Sequence, residues 1–106
     1  MKLKSRSEIP TEVQQKKTVA VVDMGSSAIR MVIAEIDEQG EWKRLDRAAK
    51  PVALGKDVFM SGVLSRESMR QAIRILSGFR EVLNSWAVDD ADIKVIATSA
   101  IREAKN

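Results

Sequence analysis

The sequence predicts an α/β domain, and three observations carry that prediction. Apolar runs of strand length recur at Val19–Val22, Ile29–Ile36 and Ile93–Ala97. A stretch of helical periodicity about twenty residues long separates the last of these from the others. Turn residues fall between the runs, Asp23-Met24-Gly25-Ser26-Ser27 after the first and Asp37-Glu38-Gln39-Gly40 after the second. The expected architecture is a mixed sheet: an antiparallel three-stranded meander, a crossover helix and a fourth strand parallel to an earlier one.

Residues 1 to about 16 lack periodicity and contain Pro10, so a disordered leader is expected there, with the domain at 17–106. The first strand runs from about Thr18 to Asp23. Four consecutive apolar residues within it suggest burial on both faces. The second, from about Ala28 to Asp37, alternates Ile29, Met31 and Ile33 with Val32, Ala34 and Ile36, as a central strand would. Gly40 can supply the positive φ that closes the next hairpin. A third strand from Trp42 to about Val52 is polar and ends in Pro51, which suits an edge.

Leu54–Leu64 has two glycines and exposed-looking apolar residues, and is read as a loop. Its Gly55-Lys56 pair lacks the first glycine and the following Ser or Thr of a Walker-type loop, so nothing is built on it. Ser65 is a good N-cap, with Glu67 in the first turn near the positive end of the helix. The helix continues to about Trp86 with a stripe of Met69, Ala72, Ile73, Leu76, Phe79, Leu83 and Trp86. Arg66, Arg70, Arg74 and Arg80 are read as a solvated face. Gly78, unfavourable inside a helix, suggests close packing against a strand. Asp89–Asp92 makes a turn, Ile93–Thr98 the fourth strand after a right-handed crossover, and Ser99 caps a helix beginning at Ala100.

Composition narrows the chemistry. Cysteine and histidine are both absent from the 106 residues, which excludes disulfides, thiol catalysis and imidazole as base or metal ligand. No apolar run reaches the roughly 20 residues of a membrane span, and no apolar segment follows the basic N-terminus as in a signal peptide. A cytoplasmic protein is expected. The net charge of +3 resides within residues 1–17, where five basic residues face two acidic ones; the rest balances at thirteen of each. With no aromatic residue in that basic stretch to stack a base, nucleic-acid binding has no support.

Two stretches carry candidate chemistry. Where the first strand ends, Asp23 can hold a hydrated Mg²⁺, Gly25 lets backbone approach a ligand, and Ser26 and Ser27 add hydroxyls; together they suit a phosphate and its metal. An ordinary hairpin turn would use the same residue types. Where the fourth strand ends, Thr98 and Ser99 offer hydroxyls beside a helix start. There Arg102 lies in a first turn, where a cation is unfavourable unless an anion, whether Glu103, a distant acid or a ligand, sits nearby.

The elbow Asp23-Met24-Gly25-Ser26-Ser27-Ala28-Ile29-Arg30-Met31 and the end Ala97-Thr98-Ser99-Ala100-Ile101-Arg102-Glu103-Ala104-Lys105-Asn106 resemble the Ppx/GppA family of exopolyphosphatases and guanosine pentaphosphate phosphohydrolases. The resemblance covers about residues 18–106. It implies the actin-like ATPase (ribonuclease H-like) fold with sheet order 3-2-1-4-5, of which this chain would hold an incomplete N-terminal part. It further implies Asp23 near Mg²⁺, Gly25, Ser26 and Ser27 lining a phosphate loop, and Arg102 at a substrate phosphate, beside the Thr98 and Ser99 hydroxyls that the local reading makes phosphate-binding candidates. The ligand would be polyphosphate or a guanosine nucleotide.

Two departures from the family pattern stand out. Ser27 and Ala28 occupy positions where the family usually has Asn and Ser. The family's catalytic carboxylate and its second phosphate loop would both lie beyond residue 106, so this chain alone is expected to be inactive. A strand 93–98 left at a sheet edge would pair with a second copy or with a missing domain. The alternatives are a non-catalytic module for phosphate ligands or domain pairing, and an actin-like ATP-binding protein.

Overall fold

The computed structural model of the protein describes residues 16–97 and 99–106. The expected leader falls almost wholly outside them. Four strands form one sheet: β1 (Lys17–Met24), β2 (Ala28–Ile36), β3 (Trp42–Pro51) and β4 (Ile93–Ala97), in the order β3-β2-β1-β4. β1–β2 and β2–β3 pair antiparallel, and β4 joins β1 in parallel. The meander and crossover therefore have the expected arrangement. Gly40 closes the β2–β3 hairpin at φ 81°, while Asp37 Oδ1 accepts the Gln39 and Glu41 amides at 2.9 and 3.0 Å. β3 is an edge, with a bulge at Leu45 between the Ile33–Asp46 and Ala34–Arg44 pairs.

Helix α2 (Arg66–Ser85) lies across one face of the sheet. Its N-cap is Ser65, whose side chain accepts from the Ser68 amide at 3.1 Å. Ala72, Phe79 and Leu83 of α2 meet Ile29, Met31 and Ile33 of β2 and Ala20 and Val22 of β1 in one core. Each large aliphatic side chain buried there contributes about 1.5–3 kcal/mol.

Four expectations need correction. The strands are covered on one face only: Val21 and Val32, cross-strand partners on the other face, are 39% and 38% exposed. Their apolar runs come from strand propensity and from a face that no described element covers. Leu54–Ser61 is a helix, α1, not a loop; Leu54 is fully buried at its start and Gly62, at φ 79°, ends it in the left-handed conformation. In α2 the buried stripe is shifted. Ile73 is 63% exposed, whereas Ile75 and Val82 pack against the core. Trp86 lies at the rim, its indole N–H donating to Asp46 at 3.1 Å. Gly78 does not mark a close approach, since a Cβ there would meet nothing within 4 Å.

A single 3₁₀ turn, Asp90–Asp92, leads into β4, which among the described residues is flanked on one side only and keeps Val95 60% and Ile96 47% exposed. The chain then forms a short helix, α3 (Ser99–Glu103), one residue earlier than the sequence suggests. No helix among the described residues is long and apolar enough to cross a membrane.

Candidate functional site

β1 delivers Asp23, half-buried, to the end of the sheet, where it pairs in register with Arg30 of β2. The chain then reverses in a tight turn: the Gly25 amide donates to the Ala28 carbonyl at 2.8 Å. A Cβ on Gly25 would stand 2.9 Å from that carbonyl oxygen, so the turn requires glycine. Ser26 and Ser27 follow, both exposed. Their carbonyls point to other partners, Ser26 accepting from the Gly55 amide at 2.8 Å and Ser27 from the Val52 amide at 3.0 Å. Two oxygens that would repel an anion are thereby engaged with N–H groups, while the serine hydroxyls stay at the surface.

The second stretch arrives at the same end of the sheet. Parallel pairing sets Met24 beside Ala97, so the chain leaves β1 and β4 side by side, one into the Gly25–Ser27 turn and the other into α3. Ligands of open α/β sheets are commonly held at such carboxyl ends of parallel strands. Arg102 is exposed on α3, which is anchored through Ile101 to the core. Thr98 lies outside the described residues, and of the α3 start only the backbone of Ser99 is described. Asp23, Gly25, Ser26, Ser27 and the segment bearing Arg102 are thus gathered at one end of the sheet. No group of three or more His, Cys, Asp or Glu side chains that could hold a metal ion forms among the described residues.

Two participants escape the sequence reading. Arg30 projects back on the turn, its Nη1 3.6 Å from where a Gly25 Cβ would be. Its place in a strand register one hairpin away is the only signal that could have located it. The other is the start of α1. A Cβ on Gly55 would stand 2.8 Å from the Ser26 Cβ, so this glycine exists to let the helix abut the turn. The Leu54–Val58 spacing hints at a helix, but Gly55 within it and Gly62 at its end obscure it.

α1 is in turn tied to α2. Asp57 accepts from the Ser65 amide at 3.0 Å and the Ser65 hydroxyl at 2.7 Å. Hydrogen bonding from the Ser68 side chain, then from the Ser65 hydroxyl and amide, holds the Asp57 carboxyl below its ordinary value.

Comparison with known proteins agrees with this geometry. The family model of the Ppx/GppA phosphatase family matches residues 32–106. The chain is 32% identical over 92 residues to a guanosine-5'-triphosphate,3'-diphosphate pyrophosphatase of Pseudoalteromonas translucida, covering 87% of this chain and 18% of that protein. It is 29% identical to exopolyphosphatase 2 of Mycobacterium tuberculosis, covering 83% of this chain and 28% of the relative. Among solved structures, the Ppx/GppA family member of Aquifex aeolicus superimposes with a TM-score of 0.79 at 29% identity, over 87% of this chain and 29% of the other. The chain therefore spans less than a third of each of these proteins. The fold is the first part of the actin-like ATPase fold, with its meander and its parallel fourth strand. Sequence and fold agree that this chain belongs to the Ppx/GppA phosphatase family, of which it forms the N-terminal part.

Proposed function

We propose that this chain supplies the phosphate-holding portion of a hydrolase that removes terminal phosphates from polyphosphate or a guanosine polyphosphate. The observation that carries the reading is the parallel β1–β4 register, with Met24 beside Ala97, which brings the Gly25–Ser27 turn and the Arg102 segment to one end of the sheet. The names of the relatives support the substrate class, since they act on these two kinds of phosphoanhydride.

In this reading Gly25, its own amide engaged with the Ala28 carbonyl, shapes the phosphate loop, Ser26 and Ser27 face one phosphate with backbone and hydroxyl donors, Thr98 and Ser99 add hydroxyls, and the Arg102 guanidinium pairs with a substrate phosphate. Donors fixed in advance stabilise the negative charge as it shifts during phosphoryl transfer without having to reorganise. Asp23 would hold Mg²⁺, which would shield phosphate charge when bound; one carboxylate ligand is enough for the hydrated mode in which this ion keeps several waters and takes its other ligands from phosphate. In this reading the water-activating carboxylate and an opposing phosphate loop come from the portion of the family's proteins that this chain does not span.

The test is phosphate release from long-chain polyphosphate with Mg²⁺, by this chain and by a version extended through the following domain. Release by the extended version alone is expected. Turnover by the 106 residues on their own would overturn the assignment of the missing base.

A second reading, a module that pairs with another domain or with a second copy, is favoured by one feature. β4 is a sheet edge whose Val95 and Ile96 face solvent. Both readings hold together if the pairing element is the remainder of the enzyme.

A further inference from the structure

α3 has five residues, and isolated helices shorter than about 12 residues are marginal in water. Its orientation therefore comes from what it touches. Before it lies β4, and at its middle Ile101 packs on the core. Beyond its end the chain is fastened to the loop that follows α1. The Lys105 N–H donates to the Gly62 carbonyl at 2.9 Å. The Asn106 side chain clasps both backbone groups of Leu64: Oδ1 accepts from the Leu64 N–H at 3.0 Å, and Nδ2 donates to the Leu64 carbonyl at 3.0 Å. A side-chain amide offers a donor and an acceptor together, which is what a backbone N–H and C=O pair requires. Lys105 also lays its stem against Gly62, with Cε 3.4 Å from where a Cβ would stand.

The opposite end of α1 holds the β1–β2 turn through the Gly55 amide and the Ser26 carbonyl, 2.8 Å apart. Asp57 and Ser65 fix α1 to the cap of α2 in between. α1 is thus a strut joining the two segments that carry the candidate phosphate contacts.

We infer that Asn106 is a positioning residue for Arg102: by clasping Leu64 it holds α3 against α1, and through α1 sets Arg102 relative to the Gly25–Ser27 turn. The inference rests on the phosphate reading of Arg102 given above. Arg102 is exposed and forms no ion pair among the described residues, so its orientation comes from the helix that carries it. A guanidinium on a helix already held in place loses less freedom when an anion binds than one on a helix that must first be ordered.

A double-mutant cycle on the chain, titrated calorimetrically with tripolyphosphate, tests this. Arg102→Ala is expected to weaken binding about tenfold or more, as loss of a charge-assisted contact does. Asn106→Ala should weaken it several-fold and abolish the hydrogen-exchange protection of the Leu64 amide. Asn106→Asp keeps the acceptor but loses the donor, and should fall between. The double variant should bind no more weakly than Arg102→Ala, because Asn106 acts through Arg102. Additive losses, or full affinity in Asn106→Ala, would overturn the positioning role while leaving the phosphate site intact. Full affinity in Arg102→Ala, or no binding by the unaltered chain, would instead remove the phosphate reading and this inference with it.

Discussion

Gly25, Gly55 and Gly78 are glycines for different reasons, and their substitutions separate those reasons. At Gly25 and Gly55 an added Cβ would stand 2.9 Å from a backbone oxygen and 2.8 Å from the Ser26 Cβ, respectively. Gly25→Ala and Gly55→Ala are each expected to lose about 1–3 kcal/mol of stability in urea unfolding, as overpacked sites do. Gly78 has open space beside it, so Gly78→Ala should gain up to about 1 kcal/mol from helix propensity alone. Gly25 is legible in the sequence because it directly follows a buried strand; Gly55 is not, because Ser26 reaches it only through the fold. Asp57 gives a pH signature. Its folded-state carboxyl is held below the ordinary value by the Ser68 and Ser65 hydrogen bonds, so its contribution is complete above the unfolded value and is lost as pH falls through the folded one. Thermal melts should therefore show a loss attributable to Asp57 only in the acid limb, below about pH 4. Asp57→Asn should flatten that limb.

At the scale of elements, signals local to the chain are legible and signals set by partners are not. Ser65 followed by Glu67 announces the start of α2, and that cap also holds Asp57 of α1. Ser65→Ala should cost about 2 kcal/mol, the upper end of the range for caps, because it breaks both the Ser68 amide bond and the link to α1. The stripe of α2 is legible in its period but not in its edges. Ile73 falls beside the sheet and Ile75 against it, a choice made by how the helix rolls on β2 and not by its own sequence. α1 shows the limit more sharply: eight residues with one glycine inside and another just after read as loop, yet burial of Leu54 and the bond from Gly55 to Ser26 hold them helical. β4 is the sheet edge that the sequence predicts. Its exposed Val95 and Ile96 predict concentration-dependent self-association in sedimentation velocity, and Ile96→Lys should suppress it by placing a charge on the unpaired edge.

Taken whole, the molecule is a four-stranded portion of a larger fold, covered by α2 on one face and open at Val21 and Val32 on the other. That asymmetry fits a chain spanning 18% and 28% of two of its relatives, and a version extended to cover the open face is expected to be markedly more stable. Calorimetric melting of both lengths checks this, alongside phosphate release. The sequence by itself determined the strand and helix order, the crossover, the meander turn at Gly40 and the family, because those follow from periodicity, turn chemistry and two spaced motifs carried within short stretches of chain. Only the tertiary structure decided which sheet face is covered, that α1 is a helix, and that Asn106, Leu64, Gly55 and Ser26 form one chain of contacts between the two motifs. Those outcomes depend on groups far apart in sequence meeting at hydrogen-bond or van der Waals distance, and no local pattern encodes such a meeting.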